Sequence, residues 1–177
     1  VKITLSSKKD YETVLNRLEK PLTIEKQHNV FYTNEFLSEN HISVRLREID
    51  GIITLTTKIR VSKEAGFFVA KEQNTQIESK ELFLKNPENY VPDELKAHVF
   101  GLKQQAEFHS TRKIYKFKNY TLEIDWAIFK KSELFEIECE TENEKSYKND
   151  IQSLLDGIQW KYSTKTKHKL CLADEEK

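Results

Sequence analysis

Glutamates recur at every second position along Phe135-Glu136-Ile137-Glu138-Cys139-Glu140. An extended backbone would stack their three carboxylates on one face and set Phe135, Ile137 and Cys139 on the other. Leu122-Glu123-Ile124-Asp125 repeats the pattern with two more carboxylates. Basic residues follow the same period elsewhere. Val44-Arg45-Leu46-Arg47 sets two arginines opposite two aliphatics, Thr54-Leu55-Thr56-Thr57-Lys58 groups Thr54, Thr56 and Lys58, and residues 164–169 align Lys165, Lys167 and Lys169. Antiparallel strands commonly have one core face and one solvated face, but a solvated face usually mixes charge signs. Here single strands carry one sign each. Stacked carboxylates repel one another unless a cation sits among them. Carboxylate oxygens suit Mg²⁺ or Mn²⁺, while Arg and Lys clamp phosphate oxygens. An acidic wall beside a basic wall therefore fits a polyanion carried with divalent metal.

The elements that must position these residues can be read from the rest of the chain. Its 177 residues fit one domain, residues 1–177, with a real core. With 29 basic and 29 acidic side chains the net charge is zero, which argues against a general nucleic-acid or membrane-surface binder. No apolar run approaches a membrane span. Cys139 and Cys171 match no metal-ligand spacing and read as reduced thiols, so the expected location is the cytoplasm. Strand patterns cover residues 2–5, 27–33, 41–49, 52–60, 67–78, 107–116, 120–128 and 133–141. Asp50-Gly51 is a hairpin turn signal between two of them. Ser6 or Ser7 offers an N-cap for a helix through Leu18, whose Tyr11, Val14, Leu15 and Leu18 form an apolar stripe; residues 144–155 fit a second helix. Residues 79–105 read as helical or irregular, broken by Pro87 and Pro92, and the lysine-rich residues 161–172 read as closing the sheet. Many strands, few helices and short turns predict an α+β chain built on an antiparallel barrel or a strongly curved sheet.

In this order the segments resemble the CYTH superfamily, also called triphosphate tunnel metalloenzymes. The resemblance spans nearly the whole chain. It rests on V-R-L-R from Val44, D-G-I-I-T-L-T-T-K from Asp50, T-R-K-I-Y around Arg112, L-E-I-D from Leu122, F-E-I-E-C-E from Phe135 and T-K-T-K from Thr164. It implies a closed eight-stranded antiparallel β-barrel forming a tunnel, with helices packed outside. Arg45, Arg47, Lys58, Arg112 and Lys167 resemble the family's phosphate-binding residues, with Lys2 and Lys165 as further members. Glu136 and Glu138 resemble its metal-binding carboxylates, with Glu140, Glu123, Asp125 and Glu72 as further ligands or water-orienting groups. Pairing with a lumen arginine is the alternative role for Asp125 and Glu123. Lys2 stands in the lysine position of the family's E-x-E-x-K strand, whose two glutamates are expected just before Val1. Thr33-Asn34 stands where many relatives have Asp-Thr, and Glu72 is followed on its face by Asn74 and Gln76 where relatives are often Glu-rich. Fewer carboxylates on that wall imply a weaker second metal site or a shifted substrate choice.

The implied activity is Mg²⁺- or Mn²⁺-dependent hydrolysis of a triphosphate-containing small molecule, inorganic tripolyphosphate first, with Glu136, Glu138 and Asp125 as the catalytic carboxylates. The absence of any Ser–His or Cys–His arrangement fits in-line attack by water without a covalent nucleophile. Thiamine triphosphate hydrolysis and class IV-type adenylate cyclase activity are the alternatives within the family. A non-catalytic polyphosphate- or nucleotide-binding module is the alternative of another class. No nucleic-acid or membrane partner is expected, and the chain is expected as a monomer or homodimer.

Overall fold

The computed structural model describes the backbone of residues 1–64, 67–139, 141 and 144–175, and their side chains outside 60–70 and 144–145. In chain order the elements are β1 (Lys2–Leu5), α1 (Lys8–Asn16), β2 (Thr23–Thr33), α2 (Glu35–Glu39), β3 (Ile42–Ile49), β4 (Ile52–Glu64), β5 (Phe67–Ile77), α3 (Lys80–Lys85), two 3₁₀ turns (Pro87–Asn89 and Asp93–His98), β6 (Lys103–Phe117), β7 (Tyr120–Ile128), β8 (Glu133–Glu138), α4 (Glu144–Leu155), β9 (Trp160–Tyr162) and α5 (Lys167–Glu175). The nine strands run antiparallel in the order β5-β4-β3-β2-β6-β7-β8-β1-β9. The resemblance implied eight strands closed into a barrel. Among the described residues there is a ninth, and no hydrogen-bonded ladder joins β5 to β9. Among them, no helix is long and apolar enough to cross a membrane.

Backbone contacts divide the chain into two compact units, residues 1–26 with 109–177, and residues 27–108. In the first unit, Ile3, Leu5, Leu122, Ile124, Phe135 and Ile137 line one sheet face and form a core with Tyr11 and Val14 of α1 and Tyr147, Ile151, Leu154 and Leu155 of α4. The side-chain period of two leaves the opposite face to the charged residues. Helix α1 starts where expected: the Ser7 hydroxyl accepts from the Asp10 amide at 3.1 Å and donates to the Asp10 carboxylate at 2.7 Å. Its far end is fixed by Arg17, which donates to the carbonyls of Leu154 and Asp156 at 2.8 and 2.7 Å. Trp126 and Trp160 pack against this core.

The second unit is organised the same way. Val44, Leu46 and Leu55 of its sheet pack with Val30, Tyr32, Leu37, Phe83 and Leu95. The Asp50-Gly51 turn has positive φ at both central residues, 51° and 79°, as a two-residue hairpin connection with right-handed twist requires. Asn34 caps α2 by accepting from the Leu37 amide at 2.9 Å.

The lysine-rich tail is a correction. Only Trp160–Tyr162 extends as a strand, and Lys165, Lys167 and Lys169 do not share a strand face because Lys167 begins α5. The cause is Thr166, whose carbonyl accepts from the Leu170 amide at 3.0 Å and whose hydroxyl accepts from the Lys169 amide at 3.3 Å. Such a hydroxyl cap favours a helix start over an extended chain. The Lys-x-Lys alternation carried no apolar partner face to oppose it.

Ile137 is fully buried on β8 between the two site glutamates, so its core contacts hold the strand that carries them. Ile137→Ala should cost about 2–5 kcal/mol. A urea midpoint shifted down at constant slope would show this, and an unshifted midpoint would refute the assignment of Ile137 to the core.

Candidate functional site

In the first unit, register turns the sequence alternation into a lattice of charge. Arg112, Asp125, Glu136 and Thr4 stand opposite one another across β6, β7, β8 and β1. Two residues along each strand, Ile114, Glu123, Glu138 and Lys2 form the adjacent row on the same face. Asp125 and Glu136 are each 1% exposed. Burial on this scale is tolerated by acidic groups only with strong partners, and these are present. Arg112 makes a two-pronged contact, Nε to Asp125 Oδ1 and Nη2 to Asp125 Oδ2, each 2.8 Å. Its remaining Nη1 pairs with Glu123, and Glu138 Oε2 lies 3.7 Å from Nη2. From the start of α5, Lys167 Nζ reaches Asp125 Oδ2 at 2.9 Å, pairs with Glu136, and lies 3.9 Å from Glu138 Oε2. Lys2 pairs with Glu138 at 2.8 Å.

These contacts set the electrostatics. Burial alone would raise the Asp125 carboxyl, but the charges of Lys167 and Arg112 and the hydrogen bonds from both take it down to about 2. Burial likewise opposes the charged form of Glu138, and Lys2 and Lys167 hold it below the usual carboxylate range. Burial would lower Lys167 and Arg112, but the surrounding carboxylates push both above their ordinary values.

Two hydroxyls complete the cluster. Ser163 donates to Glu136 Oε1 at 2.8 Å and lies 2.7 Å from the Thr4 hydroxyl. Sequence reasoning missed both. Thr4 was findable, because it shares the Lys2 face by alternation; Ser163, beside a three-residue strand, carried no such signal.

In the second unit, β3 and β4 place Arg45, Arg47 and Lys58 on one sheet face with Thr54 and Thr56. Arg47 Nε donates to Asn29 Oδ1 at 2.9 Å, and Arg45 Nη2 donates to the Thr56 hydroxyl at 3.2 Å. Thr56 in turn donates to Asn74 Oδ1 at 2.7 Å. Lys58 pairs with Glu72 at 2.7 Å, and burial's upward pull on the Glu72 carboxyl is outweighed by that contact, so it sits low.

The structure thus brings Arg112, Glu123, Asp125, Glu136, Glu138, Lys2 and Lys167 together in one unit. Arg45, Arg47, Lys58 and Glu72 belong to the other unit, and Lys165 is exposed. Glu140, expected as a ligand, lies outside the described residues. Asp125, Glu136 and Glu138 each offer an oxygen within 4.8 Å of the others. Three hard oxygen donors at that spacing fit Mg²⁺ or Mn²⁺.

The depressed carboxyl of Asp125 makes a pH prediction. Its folded value of about 2 lies below the ordinary 3.8, so its contribution to stability is complete above about pH 4 and is lost as pH falls toward 2. Asp125→Asn should be destabilised near neutrality and should lose about 2 kcal/mol less than the parent between pH 4 and 2. Parallel acid limbs in denaturant titrations of the two proteins would contradict the assignment.

Comparison with known proteins places the fold. The chain shares its fold with a Hippeastrum protein named as an adenylyl cyclase and described as having a dominant triphosphatase activity; TM-score is 0.84 at 20% identity, over 98% of this chain and 94% of that one. A Bacillus halodurans protein named as a candidate adenylate cyclase gives 0.71 at 20% identity, over 96% and 95%. A Pyrococcus horikoshii OT3 protein gives 0.63 at 16% identity, over 100% and 99%. Identities this low speak for the fold alone. No curated protein matches the chain. The CYTH domain family matches residues 1–168, nearly the whole sequence, and the chain therefore belongs to the CYTH domain family.

Proposed function

We propose that the protein hydrolyses a triphosphate in a divalent-metal-dependent reaction, with inorganic tripolyphosphate as the first substrate. The observation that carries this reading is the buried trio Asp125, Glu136 and Glu138 on a sheet face beside Arg112, Lys167 and Lys2. Family membership and the triphosphatase activity described for the Hippeastrum protein support it. The tunnel expected of the family, a single domain over residues 1–177 and a cytoplasmic location belong to the same proposal.

Asp125, Glu136 and Glu138 would hold the metal, and Mg²⁺ or Mn²⁺ bound there supplies a Lewis acid for phosphate oxygens. The chain's own residues divide the remaining work. Arg112 fixes Asp125 through both carboxylate oxygens, which makes it a positioning residue for the trio. Glu138 is the most exposed of the three, its side chain 20% accessible against 1% for the other two, which supports it as the proposed acceptor of a hydrogen bond from attacking water. Asp125, held low by two cations, is a poor proton acceptor and serves as a fixed negative charge. Lys167 and Lys2 pair with members of the trio, and they and, in the other unit, Arg45, Arg47 and Lys58 are the proposed phosphate-binding side chains. Attack by water on a terminal phosphorus gives phosphate and pyrophosphate, with basic groups stabilising charge on the leaving pyrophosphate.

Phosphate release from tripolyphosphate, ATP and thiamine triphosphate with Mg²⁺ or Mn²⁺ tests the reading. Tripolyphosphate should have the highest kcat/KM, EDTA should abolish turnover, and Glu136→Gln should lower kcat about 100-fold or more. Tight binding of all three without phosphate release would replace the enzyme by a binding module.

A further inference from the structure

We propose that Lys167 is a tethered cation that occupies the carboxylate trio in the absence of divalent metal and withdraws when metal enters, which frees it for phosphate. The inference rests on the reading of Asp125, Glu136 and Glu138 as the metal site. Its ammonium contacts Asp125 and Glu136 and lies 3.9 Å from Glu138, so one positive charge already serves all three acids. Those acids present oxygens within 4.8 Å of one another, and the Lys167 ammonium contacts two of them and lies 3.9 Å from the third. Two cations at that separation repel strongly away from bulk water. A metal held by the trio would compete with the Lys167 ammonium for the same oxygens of Asp125 and Glu136.

The connection of Lys167 to the fold suits exchange. It is not a strand residue, so its removal from the trio breaks no ladder. It begins α5, whose other end is anchored: Asp174 accepts from the Lys131 amide and the Ser132 hydroxyl, both at 2.6 Å, in the turn between β7 and β8. Glu175 adds an ion pair with Lys130 at 2.9 Å. The helix is thus latched at its C-terminal end while its first residue carries the competing charge. Lysine is also the apt residue, being a compact point charge on a flexible stem.

Isothermal titration of the full chain with Mn²⁺, without triphosphate, tests the proposal. Lys167→Met should bind Mn²⁺ about tenfold or more tightly than the parent, the scale of one charge-assisted contact. Its KM for tripolyphosphate should rise in the same preparation. A merely structural lysine would weaken both. Unchanged or weaker Mn²⁺ affinity in folded Lys167→Met overturns the proposal. If Glu136→Gln abolishes Mn²⁺ binding in that case, the metal site stands and only the tether falls. Absence of Mn²⁺ binding in both parent and Lys167→Met removes the tether and the metal site together. Should Lys167→Met fail to fold, Asp174→Asn loosens α5 from its far end and should tighten Mn²⁺ binding severalfold, and no change there overturns the proposal.

Discussion

Two carboxyl groups, Asp125 and Glu136, are buried side by side on adjacent strands, and much of the first unit is arranged around the cost of that burial. Like charges in a poorly solvated site destabilise one another unless cations and hydrogen bonds compensate. Compensation comes from three directions: Arg112 from the neighbouring strand, Lys167 from a helix start, and Ser163 from the end of β9. No single element could supply all three. The site is therefore a property of the register of four strands together with the position of α5.

That register is held from the other side of the sheet. Ile3, Ile124 and Ile137 alternate with Lys2, Glu123, Asp125, Glu136 and Glu138, so each site residue is flanked along its strand by a core residue. A slip by one residue would bury the carboxylates among Tyr11, Tyr147 and Ile151 and expose the isoleucines. The hydrophobic core thus helps to fix the site geometry by making a one-residue slip expensive.

How much of this was legible in the sequence follows from the same alternation. The charged faces, the Ser7 cap, the Asp50-Gly51 turn and most strands were readable because they rest on period-two patterning or local turn chemistry. The tail was misread for the converse reason. Thr164-Lys165-Thr166-Lys167 is polar throughout, so periodicity could not separate strand from helix, and the deciding Thr166 cap acts over only a few residues. The ninth strand, three residues long, lies below the length at which alternation carries information. Contacts that join distant segments, such as Ser163 with Glu136 and Asp174 with the turn at Lys131, depend on tertiary placement and left no trace in local spacing.

The two cations of the cluster are chemically unlike, and the difference matches their positions. Arg112 sits within a strand, and its planar fork meets both oxygens of Asp125 while a third nitrogen meets Glu123. A guanidinium so engaged holds geometry, because leaving would break several aligned contacts at once. Lys167 offers one ammonium on a flexible stem, outside the sheet, to three acids at unequal distances. Its attraction is mainly that of a point charge, which another cation can replace. A rigid arginine beside an exchangeable lysine lets the acidic trio keep its shape while the charge within it changes, a combination that two arginines or two lysines would not provide.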